Sequence, residues 1–204
     1  MNEEETEHKE KMKQLQAEQR KKVRENNTKR GVVICNTGDG KGKSTAAFGT
    51  VLRAVGYGFK VGVVQFIKGT WDTGEQKMFE RLDEVTHIVS GDGFTWNTQD
   101  KAKDIESAEK GLAQAIELIE AARVDEKAFK LIVLDEINVA LSMGYLNAAK
   151  VADLLLNKPE NLNIMVTGRG APQEVIDASD TVTEMKPLKH AFDNGILAVQ
   201  GIEY

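Results

Sequence analysis

Residues 36–44, with the sequence NTGDGKGKS, combine the residue types that bind phosphate groups. Three glycines in this segment allow the backbone to turn tightly and to approach a ligand without obstruction by a Cβ atom. The backbone N–H groups of such a loop, together with the N-terminus of a following helix, attract phosphate oxygens. Lys43 can contact phosphates as a point charge, and the hydroxyl of Ser44 suits a Mg²⁺ ion. The segment therefore predicts a phosphate-binding loop.

The match to the usual phosphate-loop pattern, G-x-x-x-x-G-K-[ST], is a variant one. Counting back from Gly42 and Lys43 places Thr37 where the pattern has glycine. A glycine-rich turn that only caps a helix is the alternative interpretation. The Gly-Lys-Ser core, with an apolar strand before it and a helix after it, favours phosphate binding over that alternative.

A second candidate site lies at residues 131–136, with the sequence LIVLDE. Four aliphatic residues predict a buried strand, and Asp135 and Glu136 follow at its carboxyl end. A carboxylate in this place commonly holds or positions Mg²⁺ in proteins with a phosphate loop. We therefore expect Mg²⁺ (or Mn²⁺) to be bound by Ser44 and Glu136.

Strand-like and helical patterns alternate along the chain. Strands are predicted at residues 31–35, 61–67, 84–90, 131–134, 162–167, 181–185 and 195–199, and helices at 44–57, 101–122, 146–156 and 172–178. This order predicts an α/β fold of the P-loop NTPase-like (RecA-like) kind, with a mostly parallel sheet covered by helices on both faces. Ligands of such sheets bind beyond the carboxyl ends of the strands, where both candidate sites fall.

Composition excludes several classes of protein. The chain has 204 residues, 41% hydrophobic and 29% charged, which suits one globular α/β domain. A net charge of −5 argues against a nucleic-acid partner, and no apolar run is long enough to span a membrane. The acidic N-terminus is unlike a signal peptide, and the single cysteine, Cys35, excludes an intrachain disulfide. These features predict a soluble, cytoplasmic protein in which Cys35 is a small core residue.

The first 29 residues differ from the rest in being crowded with Glu, Lys, Gln and Arg. We therefore predict a charged N-terminal arm over residues 1–29 and a catalytic nucleotide-binding domain over residues 30–204. The composition of the arm fits either a solvated, frayed helix or a disordered tail. It also fits a helical arm that docks on another subunit or over a site.

The chemistry performed on a bound nucleotide is not set by the phosphate loop alone. The chain lacks the Asn-Lys-x-Asp motif by which GTPases recognise guanine. Arginines beyond residue 30 are scattered, whereas a nucleotide kinase usually has an arginine-rich lid. Among them, Arg53 and Arg169 are candidates for phosphate contacts, because a guanidinium offers a fork of donors to phosphate oxygens.

Beyond these motifs, the chain from about residue 30 to 204 resembles the bacterial P-loop type of ATP:cob(I)alamin (corrinoid) adenosyltransferase. The resemblance is carried in one order by residues 37–47, 63–71, 93–96 with 98–99, 133–136, 167–170 and 189–193. It implies that reduced cobalt(I) attacks the ribose 5′-carbon of ATP, so that the 5′-deoxyadenosyl group is transferred and triphosphate leaves. Cobalamin or cobinamide would be the acceptor, in corrinoid biosynthesis or salvage.

The resemblance also implies roles for individual residues. Lys43 and Glu136 would stabilise the charge that grows on the leaving triphosphate, while Phe94 and Trp96 would pack against the corrinoid and displace its lower axial ligand. With the loop pattern, it assigns ATP contacts to Asn36, Thr37, Gly38, Asp39, Gly40, Lys41, Gly42, Lys43, Ser44, Thr45, Arg53 and Arg169. It further implies a homodimer, in which the arm covers the partner's site, and a flavoprotein that supplies cobalt(I).

Two other functions remain open on the sequence. A P-loop ATPase or kinase acting at the terminal phosphate would use the same Lys43, Ser44 and Glu136. A binding module for ATP and corrinoid would leave both unchanged. Release of triphosphate, and a role for Phe94 and Trp96, would distinguish the transferase from the first alternative.

Overall fold

The computed structural model describes residues 3–67, 73–90 and 101–203. It divides the chain into two compact units, Met1–Arg30 and Gly31–Tyr204. The first contains one long helix, α1, at Glu3–Glu25. Residues 3–25 of the charged arm are therefore helical.

In its described part, the second unit has six strands and six α-helices. The strands are β1 Val33–Thr37, β2 Val61–Gln65, β3 Val85–Val89, β4 Leu131–Asp135, β5 Asn163–Thr167 and β6 Thr181–Glu184. The helices are α2 Lys43–Gly56, α3 Gly74–Phe79, α4 Lys101–Val124, α5 Ile137–Ser142, α6 Ala148–Leu156 and α7 Gln173–Asp177. A short 3₁₀ helix follows at Phe192–Asn194.

The strands form one sheet in the order β3-β2-β4-β5-β1-β6, with every pair parallel. This confirms the α/β, P-loop NTPase-like fold expected from the sequence. Because all strands run in one direction, their carboxyl ends lie along one edge of the sheet. Strand β5 separates β1, which leads into the phosphate loop, from β4, which leads into Asp135 and Glu136.

The central strands of the sheet are buried on both faces by hydrophobic side chains. In β4, Ile132 and Leu134 pack into one cluster with α4 and α6, while Leu131 and Val133 pack into the other with α2 and α3. Alternate residues of a strand point to opposite faces, so a strand covered on both sides is apolar throughout. This burial explains why the β4 sequence shows no alternation of polar and apolar residues. Cys35 is fully buried in β1, and burial raises the pKa of its thiol.

One sequence prediction was wrong. Residues 195–199 were expected to form a strand, but they follow the 3₁₀ helix as an irregular segment. Gly195 turns the backbone there with a φ of 74°, and Leu197 is 79% exposed. Strands are stabilised by hydrogen bonds to a neighbour, and the described residues pair no strand with this segment. The sequence also gave no indication of α3 or α5.

Within the described residues, no helix is both long and apolar enough to cross a membrane.

Candidate functional site

The glycine-rich loop connects β1 to α2 in a conformation that depends on two left-handed residues. Gly38 has a φ of 91°, and Gly42, immediately before α2, has a φ of 105°. Such angles are open to glycine and costly for other residues. A Cβ atom on Gly38 would also lie 2.5 Å from the carbonyl oxygen of Met185. The tight glycine turn expected from the sequence is therefore present.

Lys43 lies within this loop rather than on the surface. Its side chain is buried, and Nζ donates hydrogen bonds to the carbonyl oxygens of Gly38 at 2.8 Å and Gly40 at 2.7 Å. Burial lowers the pKa of Lys43, and the carboxylates of Glu136 and Asp39 oppose that effect. The ammonium group is thus held at the centre of the loop by backbone oxygens.

Thr37 has a structural role that explains the departure from the usual loop pattern. Its hydroxyl accepts a hydrogen bond of 3.1 Å from the backbone N–H of Ala171, after β5. Its carbonyl oxygen accepts one of 2.8 Å from the N–H of Met185, after β6. The hydroxyl of Thr37 therefore ties the start of the loop to the segment after β5, which a glycine at this position could not do.

The segment after β6 also contacts the loop directly. The N–H of Gly40 donates a 2.7 Å hydrogen bond to the carbonyl oxygen of Met185. Farther along, the carboxylate of Glu203 forms an ion pair with the ammonium of Lys41. The C-terminal segment thus places both a carbonyl and a carboxylate against a loop suited to anions.

The two acidic residues after β4 differ in their surroundings. Asp135 is 2% exposed, and its carboxylate accepts hydrogen bonds from Gln65 Nε2 at 3.0 Å and from Thr167 Oγ1 at 2.8 Å. Glu136 is half-buried and has the left-handed backbone angles φ 60° and ψ 17°. Its N–H donates a 2.9 Å hydrogen bond to Thr167 Oγ1. Asp135 is therefore engaged within the sheet, whereas the carboxylate of Glu136 lies beyond it.

Glu136 belongs to the same cluster of charges as the phosphate loop. Burial, assisted by the negative charge of Asp135, raises the pKa of Glu136 to about 7 against the opposing effect of Lys43 and Arg169. Lys43 and Glu136, the lysine and the acid that the sequence singled out, thus each affect the pKa of the other. Lys43 follows the loop after β1 and Glu136 follows β4, so both residues come after strands that end at the carboxyl edge of the sheet.

Arg169 reaches this cluster, but Arg53 does not. Arg169 lies between Gly168 and Gly170 after β5, and its Nε is 3.9 Å from Oδ1 of Asp39 in the phosphate loop. Arg53 is exposed in the last turn of α2, whose first turn follows the loop. Ten residues of helix separate Arg53 from Lys43, a rise of about 15 Å. Arg53 therefore lies at the wrong end of its helix to join the residues around the loop.

The remaining predicted ligands have simpler placements. Asn36 is buried at the end of β1, Ser44 is half-buried in the first turn of α2, and Thr45 is exposed beside it. Phe94 and Trp96, predicted to contact a corrinoid, lie outside the described residues.

Comparison with known proteins decides the family. Residues 29–204 match the model of the family described as ATP:corrinoid adenosyltransferase BtuR/CobO/CobP. This chain belongs to that family of enzymes. It is 46% identical over 198 residues to a corrinoid adenosyltransferase of Pseudomonas aeruginosa, covering 97% of this chain and 95% of that protein. It is 42% identical over 175 residues to corrinoid adenosyltransferases of Escherichia coli K12 and Salmonella typhimurium, covering 86% of each chain in both comparisons.

Among solved structures, the cytoplasmic domain of EssC matches 83% of this chain, which spans 34% of that structure. The TM-score is 0.45 at 13% sequence identity. A similarity of this size supports no argument about function, and the family assignment does not depend on it.

The donor atoms at this site fit a magnesium ion that is shared with a nucleotide. In the described residues, no group of three or more His, Cys, Asp or Glu side chains is arranged to bind a metal ion. Glu136 offers one carboxylate, and Ser44, which follows the buried Lys43 in the chain, offers one hydroxyl. Mg²⁺ is commonly held by one or two protein oxygens, with phosphate and water oxygens completing its shell. The residues present therefore fit Mg²⁺ bound with a triphosphate.

The sequence did not point to three residues that shape the site, Gln65, Thr167 and Met185. Gln65 and Thr167 are polar residues in the last position of buried strands. That position was the available signal, because a buried polar side chain needs a hydrogen-bond partner. Met185 contributes only backbone groups, so its side chain gave no indication of its contacts.

Proposed function

We propose that this protein transfers the 5′-deoxyadenosyl group of ATP to the cobalt(I) of a reduced corrinoid. A Co–C bond forms at the ribose 5′-carbon, the bond from that carbon to the phosphate oxygen breaks, and triphosphate leaves with the electron pair. The cobalt(I) centre supplies both electrons of the new bond. The observation that carries the proposal is the family match over residues 29–204, which includes the phosphate loop and both acids.

The loop residues suit the stabilisation of a leaving triphosphate. Negative charge grows on that group in the transition state, and preorganised donors and cations lower the barrier most where charge develops. Lys43 and Arg169 supply positive charge, while the loop supplies backbone N–H groups. A Mg²⁺ ion held by Glu136 and Ser44 would supply further positive charge when bound.

No protein base is required for the step, because the nucleophile is the metal of the substrate corrinoid. The protein's part is then to bind ATP, to orient its 5′-carbon and to exclude water. We assign Phe94 and Trp96 to the corrinoid, where they would displace its lower axial ligand and ease reduction to cobalt(I). A flavoprotein is the proposed reductant, in the cytoplasm, and α1 is the proposed cover of the partner's site in a homodimer.

One observation favours a second candidate function. A carboxylate with a pKa near 7 beside a phosphate loop is suited to act as a general base toward water. Glu136 therefore also fits an ATPase that releases the terminal phosphate, or a kinase acting there.

The test mixes the purified protein with ATP, Mg²⁺ and chemically reduced cob(I)alamin without oxygen, and follows the corrinoid spectrum and the phosphate products together. We expect a light-sensitive alkylcobalamin and free triphosphate, both lost in Lys43→Ala. Unchanged corrinoid with accumulating ADP and phosphate would contradict the transferase function and support the ATPase function. In a second arm, Phe94→Ala and Trp96→Ala should lose more activity when cob(II)alamin and a reductant replace cob(I)alamin.

A further inference from the structure

A chain of side-chain hydrogen bonds crosses four neighbouring strands in the carboxyl-terminal half of the sheet. It runs from His87 in β3 to Gln65 in β2, then to Asp135 in β4 and Thr167 in β5, and ends at the backbone N–H of Glu136. The four distances are 2.8, 3.0, 2.8 and 2.9 Å in that order. We call these side chains, His87, Gln65, Asp135 and Thr167, the cross-strand network.

The donor and the acceptor of each hydrogen bond in the network can be assigned in only one way. Gln65 donates from Nε2 to Asp135, so its Oε1 is left as the acceptor facing His87. An amide oxygen cannot donate, and His87 Nε2 must therefore carry a proton. At the other end, the Thr167 hydroxyl donates to Asp135 and accepts from the N–H of Glu136. Each bond thus orients the next.

The last hydrogen bond of the network is donated by Glu136, a residue with an unusual backbone conformation. Glu136 is the one non-glycine residue with a positive φ among the described residues. Non-glycine residues persist in this conformation where the surrounding structure fixes them, often at functional sites. The residue directly follows Asp135, which the network holds at both oxygens, and directly precedes helix α5. The position of the Glu136 carboxylate therefore depends on the network.

We propose that Gln65 and His87 are positioning residues for Glu136, acting through Asp135 and Thr167. They orient the Asp135 carboxylate, this orients the Thr167 hydroxyl, and the hydroxyl fixes the backbone from which the Glu136 carboxylate reaches toward the phosphate loop. The inference rests on the proposed role of Glu136 in holding a divalent cation with ATP. Partners that orient a metal ligand typically alter metal affinity by about 10- to 100-fold when they are removed.

The first test measures Mn²⁺ binding by electron paramagnetic resonance, in the presence of ATP and without corrinoid. Gln65→Met keeps the length of the side chain and removes its donor. His87→Phe keeps an aromatic ring against Phe79, whose ring centroid is 5.4 Å from that of His87. We expect the Kd for Mn²⁺ to rise about tenfold in both variants, with an unchanged KM for cob(I)alamin in turnover assays. His87→Gln, which can donate to Gln65, should restore part of the affinity.

The matched control is Thr86→Val, an exposed position on the same strand as His87. It should bind Mn²⁺ like the wild type. If folded Gln65→Met and His87→Phe also bind Mn²⁺ like the wild type, the inference is wrong. His87→Phe keeps this test available if the buried Gln65→Met fails to fold, because His87 is only partly buried.

The second test reads the network without any ligand. Nitrogen-15 NMR of the histidine rings should show His87 protonated at Nε2, and Gln65→Met should move its ring signals while those of His8 and His190 stay in place. A neutral His87 protonated at Nδ1 would overturn the inference. If the wild type forms no adenosylcorrinoid, yet both network variants weaken Mn²⁺ binding and the NMR result holds, the proposed function fails and the positioning role stands.

Discussion

The ammonium group of Lys43 donates a 2.8 Å hydrogen bond to the carbonyl oxygen of Gly38, five residues earlier in the phosphate loop. The loop therefore holds its own lysine, and the geometry of one depends on the other. Gly38 can place its carbonyl there because it has a φ of 91°. Substitution at either position tests whether this arrangement is required for binding ATP.

Lys43→Ala should weaken ATP binding by about 10- to 100-fold, because hydrogen bonds to a charged group contribute about 1.5–3 kcal/mol. Isothermal titration calorimetry with ATP and Mg²⁺ measures this effect. Lys77→Ala, which removes an exposed lysine from α3, is the control and should bind ATP normally. Equal affinities of Lys43→Ala and Lys77→Ala for ATP would show that Lys43 does not contribute to ATP binding.

Gly38→Ala should damage both folding and ATP binding. The new Cβ atom would lie 2.5 Å from the Met185 carbonyl oxygen, in a backbone conformation unfavourable to alanine. We expect a loss of about 1–3 kcal/mol in the free energy of unfolding, measured with urea. Gly49→Ala is the control, because no atom lies within 4 Å of its Cβ position and the residue is within helix α2. That variant should gain about 0.5–1 kcal/mol; a loss equal to that of Gly38→Ala would contradict the argument.

Glu136 should make the stability of the metal-free protein depend on pH. Its pKa is about 7 in the folded protein against an ordinary value of 4.5, so the folded state binds the proton more tightly than the unfolded chain. Stability is then lost as pH rises from about 4.5 to about 7, by at most about 3 kcal/mol. Glu136→Gln should abolish this loss and be the more stable protein at pH 8.

The measurement is urea unfolding from pH 5 to pH 8 in the presence of a chelator. Glu117→Gln, which changes an exposed carboxylate on α4, should retain the pH dependence of the wild type. If Glu136→Gln and the wild type lose stability in parallel, the carboxyl group is not the origin of the effect. By the same shift, Mg²⁺ should bind the wild type more tightly at pH 8 than at pH 6, because the ion requires the deprotonated carboxylate.

Glu203→Gln should tighten ATP binding modestly. The Glu203 carboxylate pairs with Lys41 of the phosphate loop, so removing its charge makes the loop more attractive to triphosphate. Lys41 is more than half exposed, and exposed pairs contribute at most about 1 kcal/mol, which limits the gain to about fivefold. Asp193→Asn, in the preceding 3₁₀ helix, is the control. The gain should shrink as salt is raised from 50 to 500 mM, and a gain that persists at high salt would argue against an electrostatic origin.

Much of this architecture could be predicted from the sequence because each signal was local. The apolar run of β4 and the glycines around Lys43 determine their own conformations through burial and permitted backbone angles. The cross-strand network was not predictable in this way. Its side chains come from positions 65, 87, 135 and 167, and only the strand order brings them together.

Arg53 shows the opposite difficulty. Its charge made it a candidate, but its distance along α2 from Lys43 already places it away from the loop. The rise per residue is the same in every α-helix, so this separation could be calculated as soon as the helix was predicted from the sequence. The contacts of Met185 and Glu203 were not available, because they depend on the course of the C-terminal segment, where the expected strand does not form.

We propose that the reaction occurs at the 5′-carbon of ATP and not at a phosphate. A single turnover with ATP carrying carbon-13 at the ribose 5′ position, excess protein, Mg²⁺ and cob(I)alamin tests it directly by carbon-13 NMR. We predict that the labelled carbon moves to the signal of a cobalt-bound methylene as one triphosphate appears for each corrinoid consumed. A 5′-carbon that remains bonded to oxygen while the terminal phosphate is released would contradict the proposed function.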